Sequence, residues 1–186
     1  NILMMHFYDG FLEEHVAQLI DMQLREVSGK FDYDSVKNGL NKHWHVFSGH
    51  CEGSLRDDIW PIWKQIKLKW PELELESAYL NAHTHEIEPY IHRDDGALTF
   101  IYYPRLDWKN EWGGGTVLYD DAIKDITSHV NYKGNRLIKF PAYLPHQAQP
   151  VSRECYQLRT CVVFKTVVSF DENKGLPRRT SFGVES

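Results

Sequence analysis

The sequence is short of several things, and each shortage excludes a class of protein. It has three cysteines, Cys51, Cys155 and Cys161, scattered along 186 residues. They form no disulfide framework and no CxxC metal pair, and they read as reduced thiols of a cytoplasmic protein. No apolar run reaches membrane-spanning length. The opening "NILMMHFYDGFLEEH" lacks the basic start and apolar middle of a secretory signal. There is no block of Lys and Arg, and the formal net charge is −5. That speaks against a nucleic-acid partner and against an anionic membrane surface. Repeats and low-complexity tracts are not visible. What remains is an ordinary globular composition, 42% hydrophobic and 25% charged, at a length that suits one domain with a real core.

Two stretches have helical spacing. From Phe11 to Val27, apolar residues recur at Leu12, Val16, Leu19, Ile20 and Leu24, with Asp9 placed to cap and Glu13 and Glu14 in the first turn. A second helical region is expected between Ser54 and Trp70, with Ser54 and Asp57 spaced as a capping box and Pro61 kinking or restarting it. After Pro71 the texture changes to short strands: "LELESAYLN", "ALTFIYY", "GTVLYDD", "NRLIKFP" and "QLRTCVVFKTVVSF". The pattern predicts an α+β chain in one domain. Residues 1–71 are mainly helical support, 72–170 a β-sandwich or jelly-roll catalytic core, and 171–186 a polar tail.

Ten histidines offer several ligand sets. "HWH" (His43, His45) and "HTH" (His83, His85) could each pair on a strand, but neither has an acidic partner followed by a buried strand. "PYIHRDDGALTFIYYP" does. In extended backbone, residues i and i+2 share a face, so His92 and Asp94 converge on one point. A metal ion or a His–carboxylate proton-transfer pair would use that arrangement; a solvated turn is the plain alternative, since "RDDG" is also good turn chemistry. Further on, His146 follows a strand and a Pro-rich turn, and Arg159 interrupts the apolar strand "QLRTCVVF". A guanidinium cannot shed its charge, so its burial demands an anion. The anion is either a structural carboxylate or a small carboxylate ligand held by the guanidinium fork.

Two histidines and a carboxylate with open positions form the facial triad of non-haem iron(II) oxygenases. Their commonest co-substrate, 2-oxoglutarate, needs a buried cation for its far carboxylate. His92, Asp94, His146 and Arg159 supply both halves in order. "YIHRDDGALTFIYYPRLDWKNEWGGGTVLYDD" and "GNRLIKFPAYLPHQAQPVSRECYQLRT" together resemble the prolyl-hydroxylase-like branch of the 2-oxoglutarate- and iron(II)-dependent oxygenases, over roughly residues 79–166. The resemblance implies a double-stranded β-helix, or jelly roll, on N-terminal supporting helices. It also implies iron ligands His92, Asp94 and His146, with Arg159 gripping the distal carboxylate and Tyr103 assisting. "WGGGTVLY" resembles the family's Gly-Gly turn, where chains approach closely.

Three departures stand out. Cys161 replaces a frequent serine two places after the arginine, Pro89 stands where many members have tyrosine, and "NAHTHEIEPY" lacks the glycines of several prolyl hydroxylases. The implied cofactors are Fe(II), 2-oxoglutarate and O2, with ascorbate as a stimulant. The implied reaction hydroxylates a C–H bond, with a prolyl residue of a protein or peptide as first choice and a free amino acid or small metabolite as second. Tyr79, Asn81, Trp108 and Trp112 carry groups suited to substrate contact or, equally, to sheet packing. Two other classes share some of these features. A metal hydrolase would use the triad but leave Arg159 unexplained, and a non-catalytic jelly-roll binding module would need neither.

Overall fold

A computed structural model describes residues 5–34, 41–85 and 87–169; the polar stretch at 171–186 lies outside them. Ten strands are described: β1 (His6–Asp9), β2 (Lys30–Tyr33), β3 (His43–Gly49), β4 (Leu73–His83), β5 (Leu98–Tyr103), β6 (Thr116–Tyr119), β7 (Ile126–Val130), β8 (Arg136–Pro141), β9 (His146–Ala148) and β10 (Arg159–Val168). Seven form one antiparallel sheet in the order β1-β8-β5-β10-β4-β3-β2, and three form a second, β7-β6-β9. This mostly antiparallel, two-sheet architecture is jelly-roll-like.

Alternation along β10 organises the large sheet. Val162 and Phe164 point to one face, into a core shared with Leu73, Leu75, Ala78 and Leu80 of β4. Helices α1 (Glu14–Arg25) and α2 (Trp60–Lys69) contribute Ala17, Ile20, Leu24, Ile62, Trp63 and Ile66 to the same core. Cys161 and Val163 point the other way and join Ile101, Tyr103, Ile138 and Phe140 against Leu118, Val130 and Tyr132 of the smaller sheet's side. The period-2 pattern thus gives one strand a helix-covered face and a face toward the second sheet.

The first 71 residues differ from expectation. They are not mainly helical, because β1, β2 and β3 add three strands to the large sheet. Asp9 caps no helix. It lies in β1, where its carboxylate meets Arg136 at 2.6 Å and Lys133 at 3.0 Å. The α1 N-cap position is Glu13, with no side-chain cap bond, and Leu19 is exposed because the buried stripe runs through Ala17 instead. Ser54 closes a short 3-10 turn, Glu52–Ser54. Helix α2 starts at Trp60, with Pro61 in its first turn where a missing N–H costs nothing. Among the described residues no helix is long and apolar enough to cross a membrane.

Candidate active site

The segment that carries His92 and Asp94 pairs with the start of β9 and with the turn before it. His92 and His146 exchange two backbone hydrogen bonds, N to O at 3.0 and 2.9 Å, and the Asp94 N–H donates to the Ala142 carbonyl at 2.9 Å. These bonds bring three side chains to one point. The ligand atoms of His92, Asp94 and His146 all lie within 4.8 Å of one another. His92 Nε2 is 4.0 Å from Asp94 Oδ1, and His146 Nε2 is 3.4 Å from Asp94 Oδ2.

The tautomers follow from the surroundings. His92 Nδ1 sits 2.9 Å from the Tyr90 carbonyl and His146 Nδ1 3.0 Å from the Leu144 carbonyl. A carbonyl only accepts, so each Nδ1 carries a proton and Nε2 is the atom that each ring turns inward. Burial, reinforced by the neighbouring His146, pushes the His92 imidazole down to about 4, so this ring is neutral at ordinary pH. Burial alone would raise the Asp94 carboxyl, but His146 and Lys165 hold it well below the usual carboxylate range. Two imidazole lone pairs and a carboxylate converging on one point suit a divalent cation, and this donor set fits iron(II).

Two residues that sequence reasoning missed hold the carboxylate. Thr99 Oγ1 donates to Asp94 Oδ2 at 2.8 Å, and Lys165 Nζ lies 2.8 Å from Asp94 Oδ1. A signal was present. Lys165 shares the inward face of β10 with Arg159, Cys161 and Val163, so it is a second cation on the same side of an apolar strand.

The cluster opens into a cavity with about 520 Å³ of empty space, its mouth included, and the lining also includes Asn81, His83, Thr116, Arg159 and Cys161. Arg159 is 1% exposed. Its Nε donates to the Gly114 carbonyl at 2.5 Å, Nη2 to the Gly115 carbonyl at 3.3 Å, and Nη1 reaches only the Cys161 sulfur at 3.7 Å. Among the described residues no carboxylate pairs with it. The Gly-Gly turn is required here. Gly113 and Gly114 have φ of +69° and +74°, and a Cβ at Gly114 would stand 3.2 Å from Arg159 Cδ.

The remaining expected residues divide. Tyr79 and Asn81 line the cavity. Tyr103 is fully buried, with its ring 5.7 Å below the Arg159 guanidinium, and its hydroxyl bonds not to the cavity but to Thr116 Oγ1 at 2.6 Å. Trp108 and Trp112 are outside the lining. They pack edge to face, Trp112 buried with Val151 and Cys155, and Trp108 donating to the Gly113 carbonyl behind Arg159. Both make packing contacts.

With this geometry the comparisons agree. Residues 73–164 match the family described as the 2OG-Fe(II) oxygenase superfamily. The fold is shared with a prolyl hydroxylase from Trichoplax adhaerens solved with a hypoxia inducible factor peptide fragment (TM-score 0.66, 16% identity, covering 93% of this chain and 86% of that one). It is also shared with a 2OG-Fe(II) oxygenase family oxidoreductase from Burkholderia pseudomallei (0.64, 10%, 88% and 84%). A third is the viral collagen prolyl hydroxylase of Paramecium Bursaria Chlorella virus-1 in its 2OG complex (0.61, 13%, 88% and 96%). No curated protein matches significantly in sequence. Over residues 73–164 the chain thus resembles the 2-oxoglutarate- and iron(II)-dependent oxygenases, a family that uses Fe(II), 2-oxoglutarate and O2, and the His–Asp–His cluster suits that iron.

Proposed function

We propose that the chain is a hydroxylase acting on a C–H bond of a prolyl residue in a protein or peptide. In this reading His92, Asp94 and His146 hold the iron and Arg159 receives the distal carboxylate of 2-oxoglutarate. Tyr103 contributes at one remove, by fixing Thr116. The bound iron, with 2-oxoglutarate and dioxygen, supplies the oxidising power for the C–H bond, with succinate and carbon dioxide as the other products. The chain's own groups do the rest. The Tyr90 and Leu144 carbonyls fix which nitrogen each histidine offers, Thr99 and Lys165 fix the carboxylate, and the buried walls keep water out. Asp94 also bears on the outcome, because relatives that halogenate lack this carboxylate. Tyr79 and Asn81, which line the cavity, touch substrate in this reading, and the free cysteines support a cytoplasmic location.

The observation that carries the reading is a single cavity lined both by the His–Asp–His cluster and by a buried arginine that has no carboxylate partner among the described residues. A hydrolase would use the first feature and leave the second idle. The test is succinate production by the iron-loaded protein, screened against proline-containing peptides and free amino acids, with mass spectrometry of the product. Peptide-dependent succinate with one added oxygen on proline is expected. Turnover with free amino acids alone would move the substrate to the small-molecule class, and no succinate with any substrate would overturn the reading.

A further inference from the structure

The inward face of β10 carries a second cation. Arg159, Cys161, Val163 and Lys165 alternate along it, which places the two charges about 20 Å apart for an extended strand. Lys165 stands at the Asp94 end, away from Arg159. Its Nζ is 2.8 Å from Asp94 Oδ1 and 5.7 Å from the centre of the Tyr79 ring, and its side chain is 22% exposed.

The ion pair with Asp94 does not account for a lysine at this point. A metal-ligating carboxylate needs outer partners to orient it, and Thr99 does so from a neutral hydroxyl at 2.8 Å. An ammonium orients it too, but sets a positive charge beside the place a dication must occupy, and like charges repel. Among the described residues Lys165 has no other ion pair. Glu76 feels its charge only across a gap longer than an ion pair. With a metal ion drawing on Asp94, the remaining N–H groups of the ammonium call for a different anion.

Tyr79 stands beside it at the edge of the cavity, which Tyr79 lines and Lys165 does not. The two are diagonal neighbours on one face, since Tyr79 pairs with Val163 and Ser77 with Lys165. The Tyr79 hydroxyl makes no hydrogen bond among the described residues. Burial and then the Asp94 charge hold this phenol well above its usual range, so it keeps its proton. A group leaving the cavity over the Tyr79 ring therefore meets one neutral O–H donor and one ammonium. We propose that Lys165 and Tyr79 together bind a carboxylate of the substrate, so that the molecule hydroxylated here is an anion. The inference rests on the hydroxylase reading above and narrows its substrate class. The carboxylate is either the substrate's own terminus or an acidic side chain next to the oxidised residue.

The test is anaerobic calorimetry of the iron-loaded protein saturated with 2-oxoglutarate, so that Arg159 is already engaged. The probes are three pairs, each with and without one carboxylate: N-acetylproline and its amide, N-acetylleucine and its amide, and blocked prolyl-aspartate and prolyl-asparagine dipeptides. A charge-assisted hydrogen bond predicts about 10- to 100-fold tighter binding of the carboxylate member. The pair that shows it tells a terminal from a side-chain source. Lys165→Met should erase that gap, Lys165→Arg should keep most of it and Tyr79→Phe should reduce it. Iron affinity should not fall in Lys165→Met, because Thr99 still holds Asp94. A gap that survives Lys165→Met, no binding of any probe, or iron lost with the lysine would each overturn the inference. Proline probes that bind without a gap would overturn it and leave the prolyl reading standing. A lysine-dependent gap in the leucine pair, with no proline probe bound, would sustain the inference and remove the prolyl reading.

Discussion

Arg105 and Arg159 are both buried, at 4% and 1% exposure, and their surroundings are opposite. Arg105 is fully furnished. Its Nη1 meets Asp21 Oδ1 at 3.0 Å and the Asp21 carbonyl, and its Nη2 meets the Leu24 carbonyl and Thr160 Oγ1 at 2.9 Å. It ties α1 to the helix-side face of the large sheet. Arg159, next to Thr160 in sequence, points to the other face and finds two carbonyls and a sulfur. Thr160 thus serves a closed structural network while its neighbour faces a cavity. The lesson is that burial of a charge does not reveal its purpose, but the inventory of its partners does.

The comparison can be broken at four places. The largest effect is expected at the cavity's other end. His146→Ala should abolish iron binding, measured by metal titration, while circular dichroism shows the fold retained. Next, Arg159→Ala should weaken 2-oxoglutarate by about 3–5 kcal/mol, the cost of breaking a buried pair, or two to four powers of ten. Arg159→Lys keeps the charge and should lose less, and iron affinity without co-substrate should hardly change in either. Equal 2-oxoglutarate affinities in anaerobic titrations of all three proteins would make Arg159 merely structural.

Arg105→Ala should do the reverse, lowering stability by about 3 kcal/mol in denaturant unfolding with 2-oxoglutarate affinity unchanged. The figure is the low end for a broken buried pair, because Arg25 Nη2 still contacts Asp21 at 2.9 Å. Smallest is Asp9→Asn, on the rim. Hydrogen bonding from Arg136, then Lys133, lowers the Asp9 carboxyl to about 2 against partial burial, but its side chain is 38% exposed. An exposed pair contributes less than about 1 kcal/mol. A depressed carboxyl stabilises above its unfolded value of 3.8 and loses that contribution as pH falls toward 2. The difference between wild type and Asp9→Asn in thermal melts should therefore be present at pH 6 and fade near pH 2.

The chemistry-bearing half of the chain was the more legible. His92-x-Asp94, His146, Arg159 and the Gly-Gly turn are residue types that only a few physical demands explain, and five expected strands are found in β4, β5, β6, β8 and β10. The first 71 residues were misread where the signal is weakest. Strands β1 and β2 are four residues long, at the two edges of the sheet, and mostly exposed, so they show no inside-outside alternation. Trp108 and Trp112 illustrate a different limit. An aromatic side chain in a loop satisfies packing and substrate contact equally, and only three-dimensional placement separates the two. Thr99 and Lys165 required knowing that β5 and β10 are neighbours, with Lys165 opposite Thr99.

The main-chain rung between His92 and His146 has a consequence for how the centre is assembled. Bringing residues 92 and 146 together closes a long loop, and loop closure carries an entropic cost that grows only slowly with length. Here backbone pairing meets that cost. In the proposed reading an arriving ion would therefore meet its two nitrogen donors already adjacent, as in a preorganised chelator, with no loop to draw into place.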